Sequence, residues 1–224
     1  MASDRKAVRD AASVVLVRRG PAGLETFWVR RGDQLTFAGG FYAFAGGRVD
    51  AADAGVPVAN ASALPRAERA CVAAAARELF EETGVLAVPG AGRVPRAERD
   101  AVRAALVERP AERERKALPG AEPAATAPPP DEARAAQGFA AFLARHGLSV
   151  DAAWYAPAGR WVTPEMMPVR FDARFYLVEL PAGEDAVVWP GELADGAWIR
   201  PQDAVAQWDA GTSLLHPPAW HTLR

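Results

Sequence analysis

The sequence predicts one α/β domain with a long helical insertion, and three observations lead to that reading. Runs of β-branched and aromatic residues stand towards both ends of the chain, an unbroken helix-forming stretch covers 65–83, and a proline- and alanine-rich region at about 89–150 interrupts the pattern. At 224 residues and 50% hydrophobic composition, the chain can bury one sizeable core.

Taken in order, 12–18 (ASVVLVR) and 26–31 (TFWVRR) read as strands, and Gly20-Pro21-Ala22-Gly23 between them as the turn of a hairpin. Residues 41–44 read as a short strand entering a glycine turn at Gly46-Gly47. The stretch 65–83 has no internal glycine or proline, and Gly84 stands where a helix C-terminus favours a left-handed residue. On that helix Val72, Ala76, Leu79 and Thr83 share one face and Glu78, Glu81 and Glu82 another. Residues 85–88 read as a strand. Within the insertion, helices are expected around 95–107 and 131–146, with an extended linker at Pro128-Pro129-Pro130, so that removing 122–130 should leave stability nearly unchanged. Strands then follow at 170–180 and 197–199, and Pro201, a favoured first helical residue, opens a last helix that ends before Gly211.

Charge and cysteine usage exclude several classes of function. A net charge of -2 offers no basic field for a nucleic-acid polymer. The single cysteine, Cys71, excludes an internal disulfide and is expected in the core. The apolar run 11–17 is short and followed by Arg18 and Arg19, which reads as a strand rather than a signal peptide. No stretch approaches the roughly 20 apolar residues of a membrane span. A cytoplasmic location, no membrane partner and a homodimer as an open option are the expectations.

The chemistry concentrates in Arg77-Glu78-Leu79-Phe80-Glu81-Glu82-Thr83-Gly84-Val85. Three carboxylates at i, i+3 and i+4 of one helix repel one another unless a cation compensates them. Hard oxygen donors favour Mg2+ or Mn2+, and such ions are what a diphosphate substrate needs to have its charge neutralised. Arg77 can neutralise or orient one carboxylate. Gly46 and Gly47 allow close backbone approach. Taken alone, an EXXEE string is a solvated acidic face; the flanking Arg77, Gly84 and upstream glycines argue against that.

The segment resembles the signature of the Nudix hydrolases, and every defining position from Arg77 onward matches. Gly47 followed by five residues lands on Asp53, where the pattern usually has glutamate. Between Asp53 and Arg77 stand 23 residues where the pattern usually has seven. The resemblance implies an α/β/α sandwich with a mixed sheet, metal ligands from Glu78, Glu81, Glu82 and the Gly47 backbone, and hydrolysis of a nucleoside-diphosphate-linked compound. Residues 40–50, 160–164 and 170–176 look similar to the branch with an interrupted box that includes the peroxisomal coenzyme A diphosphatase, which raises coenzyme A or acyl-CoA as substrate. ADP-ribose or a dinucleotide is the alternative within the enzymes, and a non-catalytic ligand-binding module is the alternative outside them.

Four arginines are candidates for substrate phosphate: Arg30, Arg31, Arg170 and Arg174. Arg170 and Arg174 alternate with Asp172 on a strand and could equally form a surface ion-pair row. Glu192, in a loop before Trp198, is either an additional acid for metal or water or a solvated glutamate. Trp161, Phe175 and Trp198 read as core rather than as a base-stacking platform, and His146, His216 and His221 show no ligand spacing.

Overall fold

The computed structural model describes residues 7–33, 39–107, 130–189 and 193–224. Glu192 and most of the proline tract, including the segment 122–129, lie outside these residues. The strands are β1 (Val8–Gly20), β2 (Gly23–Arg31), β3 (Tyr42–Ala43), β4 (Ala45–Arg48), β5 (Val58–Ala59), β6 (Val150–Asp151), β7 (Ala156–Val162), β8 (Arg170–Glu179) and β9 (Leu193–Ile199). The helices are α1 (Arg66–Thr83), α2 (Arg96–Val107), α3 (Pro130–Arg145), α4 (Pro201–Asp209) and α5 (Pro217–Thr222).

Seven strands form one mixed sheet in the order β3-β2-β1-β8-β7, with β4 paired to β1 and β9 to β2. The hairpin turn between Gly20 and Gly23 closes the β1–β2 ladder. Beyond Leu16↔Phe27 the two strands separate, and 42–48 fills the fork: β3 pairs with Val29 and Arg30, and β4 with Ala11–Val14. Strand β8 runs parallel to β1, while β2, β4, β7 and β9 pair antiparallel to their neighbours. A separate parallel pair, β5–β6, ties the stretch before α1 to the chain after α3.

Strand periodicity divides the core into layers. Ala12, Val14 and Leu16 of β1, with Phe27 and Val29 of β2, face the layer containing α1. Val15 and Val17 face the other side with Phe44, Phe175 and Ala219 of α5, and Trp28 packs there on Ala204 of α4 and Leu215. The result is an α/β/α sandwich. Helix α1 is buried over most of its length because the alanines at 73–76 let it lie close against β1 and β4.

Two local expectations need correction. Gly46 and Gly47 lie within strand β4, not in a turn, because their backbones complete the β1 ladder opposite Ser13 and Ala12. Residues 85–88 pair in no ladder; their side chains are buried in the main core together with residues of two helices. Those helices belong to the insertion, whose α3 contributes Phe139, Phe142 and Leu143 to the main core. Phe142 stacks on Phe80 of α1 with ring centroids 5.8 Å apart, and His146 just after α3 meets Glu98 of α2 at 3.0 Å. Tyr155, fully buried, donates its hydroxyl to Ala87 O at 2.9 Å, and burial pushes its pKa up. The described helices of the insertion are therefore part of the hydrophobic core. Helix α5 and the β5–β6 pair have no counterpart in the sequence reading.

If α3 packs as an integral element, Phe142→Ala should lower unfolding free energy by about 3–5 kcal/mol in urea denaturation, from lost burial and a residual cavity. A loss below about 1 kcal/mol would mean that the helix lies on the surface.

Candidate active site

The site assembles where the C-terminal half of α1 meets β4 and the 3-10 turn Ala51–Gly55. Its centre is Arg77, 2% exposed, whose guanidinium uses all five N–H groups. Nε and Nη2 donate to the two oxygens of Asp53 at 2.9 and 3.1 Å, and Nη2 also donates to Arg48 O at 3.0 Å. Nη1 donates to Glu78 Oε1 at 2.7 Å and reaches the Glu81 carboxylate at 3.4 Å. Burial works against the charge, but Glu78, Asp53 and Glu81 outweigh it and hold the Arg77 pKa well above its ordinary value. The guanidinium is permanently charged.

Asp53 is fixed from its own side. Asp50 caps the 3-10 turn by accepting from Ala52 N at 2.7 Å, and Asp53 Oδ2 accepts from Asp50 N at 2.8 Å, which forms a capping box. Burial pushes the Asp53 carboxyl above its usual value, while Arg77 and the Asp50 backbone pull the other way. The bidentate geometry is that of a carboxylate held by a guanidinium. Thus the residue displaced by the 23-residue spacer reaches Arg77 after all, as its ion-pair partner rather than among the three helix carboxylates.

Glu78, Glu81 and Glu82 occupy one patch, but each is held differently. Glu78 lies against Gly47, where an added Cβ would stand 2.4 Å from Oε1. Only a glycine permits that approach. Glu82 Oε2 accepts from Gly46 N at 2.9 Å. Glu81 is buried, against the expectation of a displayed carboxylate, because it shares Arg77 Nη1 with Glu78. Among the described residues no three His, Cys, Asp or Glu side chains converge as a ready metal site, since Glu78 and Glu81 turn to Arg77 and Glu82 to Gly46. The donor set still fits a hard divalent cation: three carboxylates and the β4 backbone, with a cradle at Gly47 that a side chain would fill.

The substrate candidates are dispersed. Arg30 pairs with Asp33 at 2.6 Å near Gly40, and Arg31 lies beside His216, whose pKa is lowered by burial and then by the Arg31 charge. Arg170 donates to Thr163 O at 3.1 Å. Arg174 is held at 2.8 Å by both Glu68 and Asp10, which ties β8 to the first turn of α1 and to β1. Glu68 precedes Glu78 by ten residues, about 15 Å along a helix, so Arg174 is engaged at the far end of α1 from the carboxylates. Arg160 forms a bidentate pair with Asp172, which makes this face of the sheet an ion-pair row. Phe175 is core, and Trp198 packs edge-on against Phe27 under Arg18. Buried Cys71 has its thiol pushed up to about 12 by desolvation and is inert near neutrality.

Sequence reasoning missed Arg103 on α2, which is fully buried and donates to Glu81 O, Glu82 O and Val187 O at 2.7–2.8 Å. It also missed Arg99, which pairs with Glu184. A signal existed: Arg99, Val102, Arg103 and Leu106 fall at i, i+3, i+4 and i+7, the spacing of a buried helix face.

No protein-family model matches the chain, and no curated protein matches it by sequence. Solved structures do. A Nudix hydrolase from Alicyclobacillus acidocaldarius is similar at 27% identity and a TM-score of 0.69 over 97% of this chain and 90% of that one. A MutT protein from Methanosarcina mazei Go1 is similar at 14% identity and a TM-score of 0.49 over 99% and 93%. The Nudix domain of Shewanella oneidensis NrtR, solved with ADP-ribose, is similar at 10% identity and a TM-score of 0.48 over 97% and 85%. The likeness to the Alicyclobacillus protein identifies the fold as the Nudix fold. It also supports the Nudix superfamily, whose hydrolases act on acid anhydrides in phosphorus-containing compounds.

The Arg77–Asp53 pair should be worth more than any surface pair. Asp53→Ala should cost about 3–5 kcal/mol in denaturant unfolding, because it strands much of a buried charge. Asp33→Ala, which breaks an exposed pair, should leave the unfolding midpoint almost unchanged. Similar small losses in both variants would contradict a central role for Arg77.

Proposed function

We propose that this chain is a divalent-metal-dependent diphosphatase that cleaves the diphosphate bridge of a nucleoside-diphosphate-linked compound. The observation that carries the proposal is the buried Arg77 network, which holds Glu78 and Glu81 beside Glu82 at the edge of β4. The three helix carboxylates repel one another, and Arg77 brings a single positive charge against them and Asp53, which leaves the patch net negative.

Glu78, Glu81 and Glu82, with the Gly47 carbonyl, would hold Mg2+ or Mn2+. When bound, the ions supply positive charge against the diphosphate and acidify the attacking water. Arg77 holds Glu78 and Glu81 by hydrogen bonds and restricts their rotamers. Gly46 N–H orients Glu82 through Oε2, and the missing side chain of Gly47 gives Glu78 room to meet the strand backbone. One of the three carboxylates receives the proton from water as it attacks phosphorus, and the diphosphate oxygen leaves with the departing phosphate. Arg30 and Arg31, at the end of β2, are the cations we assign to substrate phosphate, with Arg170 as a further contact. Arg174, held by two carboxylates, serves the fold.

For the substrate itself, the likeness of 40–50 and 160–176 to the interrupted-box branch favours coenzyme A or acyl-CoA, ahead of ADP-ribose and dinucleotides. Retention of all three helix carboxylates argues against a non-catalytic binding module.

The test is hydrolysis by the purified protein of coenzyme A, dephospho-coenzyme A, ADP-ribose and dinucleotides, with Mg2+, Mn2+ or chelator, and products identified by mass. Turnover should require metal, coenzyme A should give adenosine 3′,5′-bisphosphate and 4′-phosphopantetheine, and Glu78→Gln and Glu82→Gln should each lower the rate by about 10² or more with the fold intact. Full turnover in chelator would refute the mechanism. Preference for ADP-ribose or dephospho-coenzyme A would refute the coenzyme A assignment alone.

A further inference from the structure

The last four carbonyls of any α-helix lack intrahelical donors, and in α1 these belong to Phe80, Glu81, Glu82 and Thr83. All four are satisfied here, by three different parts of the chain. Gly84 N, in the left-handed conformation at φ 73°, donates to Phe80 O at 2.9 Å. Val187 N donates to Thr83 O at 2.8 Å. The middle two carbonyls are served by one side chain, Arg103 of α2, with Nε to Glu81 O at 2.8 Å and Nη2 to Glu82 O at 2.7 Å.

The two carbonyls that Arg103 holds belong to two of the three residues whose carboxylates form the candidate site. Arg103 Nη2 also donates to Val187 O at 2.8 Å, and the guanidinium lies over the Trp189 ring at 4.6 Å. One fork therefore joins the final turn of α1 to the segment leading into β9. Burial lowers its pKa to about 10, so the group stays cationic near neutrality, at the negative end of the α1 dipole. Among the described residues it forms no ion pair with a carboxylate. Arg99, one turn earlier on α2, pairs instead with Glu184.

We infer that Arg103 is a positioning residue for the carboxylate centre: by holding Glu81 O and Glu82 O, it sets the direction in which the final turn of α1 presents both carboxylates, and it makes α2 of the insertion part of the active site. The inference rests on the metal-binding reading above. A lysine could keep the charge and reach one carbonyl, but it cannot reproduce the fork.

The experiment is Mn2+ titration by calorimetry of wild-type protein and the variants Arg103→Met, Arg103→Lys and Arg99→Met, at a temperature where circular dichroism shows each folded. Arg103→Met should weaken Mn2+ binding about 10-fold, the usual consequence of losing a group that orients metal ligands, and Arg103→Lys should recover part of that loss. Arg99→Met should bind as wild type does. Should Arg103→Met not fold, Arg103→Lys carries the test, with weakened binding expected. If the folded Arg103 variants bind Mn2+ as tightly as wild type, Arg103 is only a structural staple and the inference fails while the metal site stands. Wild-type protein that binds no Mn2+ would remove the metal-binding reading and this inference with it.

Discussion

A buried guanidinium with five donors imposes more on this structure than any other single group. Leaving such a charge unpaired away from water costs several kcal/mol, so the chain must bring acceptors to Arg77 from every side. It does so with Asp53 from the 3-10 turn, the Arg48 carbonyl from the end of β4, and Glu78 and Glu81 from Arg77's own helix. These acceptors fix three relations: the rotation of α1 about its axis, its distance from β4, and the point to which the long excursion after Asp53 must return. The cluster of negative charge that results is what the proposed chemistry uses.

The same constraint explains how an interrupted motif can still work. Residues 54–76 separate Asp53 from Arg77 in sequence, yet Asp53 is fixed by its own capping box with Asp50 before it meets Arg77. A loop between two anchored points can lengthen at small entropic cost. Here the extra length is also used, since Val56 and Ala61 are buried and Val58–Ala59 pair with Val150–Asp151 after α3. The insertion follows the same economy. Phe139 and Phe142 cover Phe80, and Arg103 closes the end of α1, so the elements that interrupt the domain help to hold its central helix.

What could be read from the sequence follows from which interactions are local. The β1–β2 hairpin, the extent of α1 and its glycine cap are set by neighbouring residues and were legible, as was the α/β/α sandwich through the family likeness. The strand expected at 85–88 was not there because four buried apolar residues look alike in a strand and in an unpaired core segment, and here they join the core to which α2 and α3 also contribute. Gly46 and Gly47 looked like a turn because the reason for glycine is remote: the close approach of Glu78 and of the β1 backbone. Arg174 looked equally suited to phosphate and to an ion-pair row, and only the fold could bring Asp10 and Glu68 to it. Arg103 was hidden because its acceptors are backbone carbonyls, which leave no mark in a sequence.

The central claim is that the patch organised by Arg77 is a metal centre. Anomalous diffraction at the manganese edge, from crystals soaked in MnCl2, tests it without reference to any substrate. The account predicts manganese peaks within about 2.2 Å of carboxylate oxygens of Glu78 or Glu82, with the Gly47 carbonyl among the ligands. Crystals that bind manganese elsewhere, or show none at this patch, would contradict it.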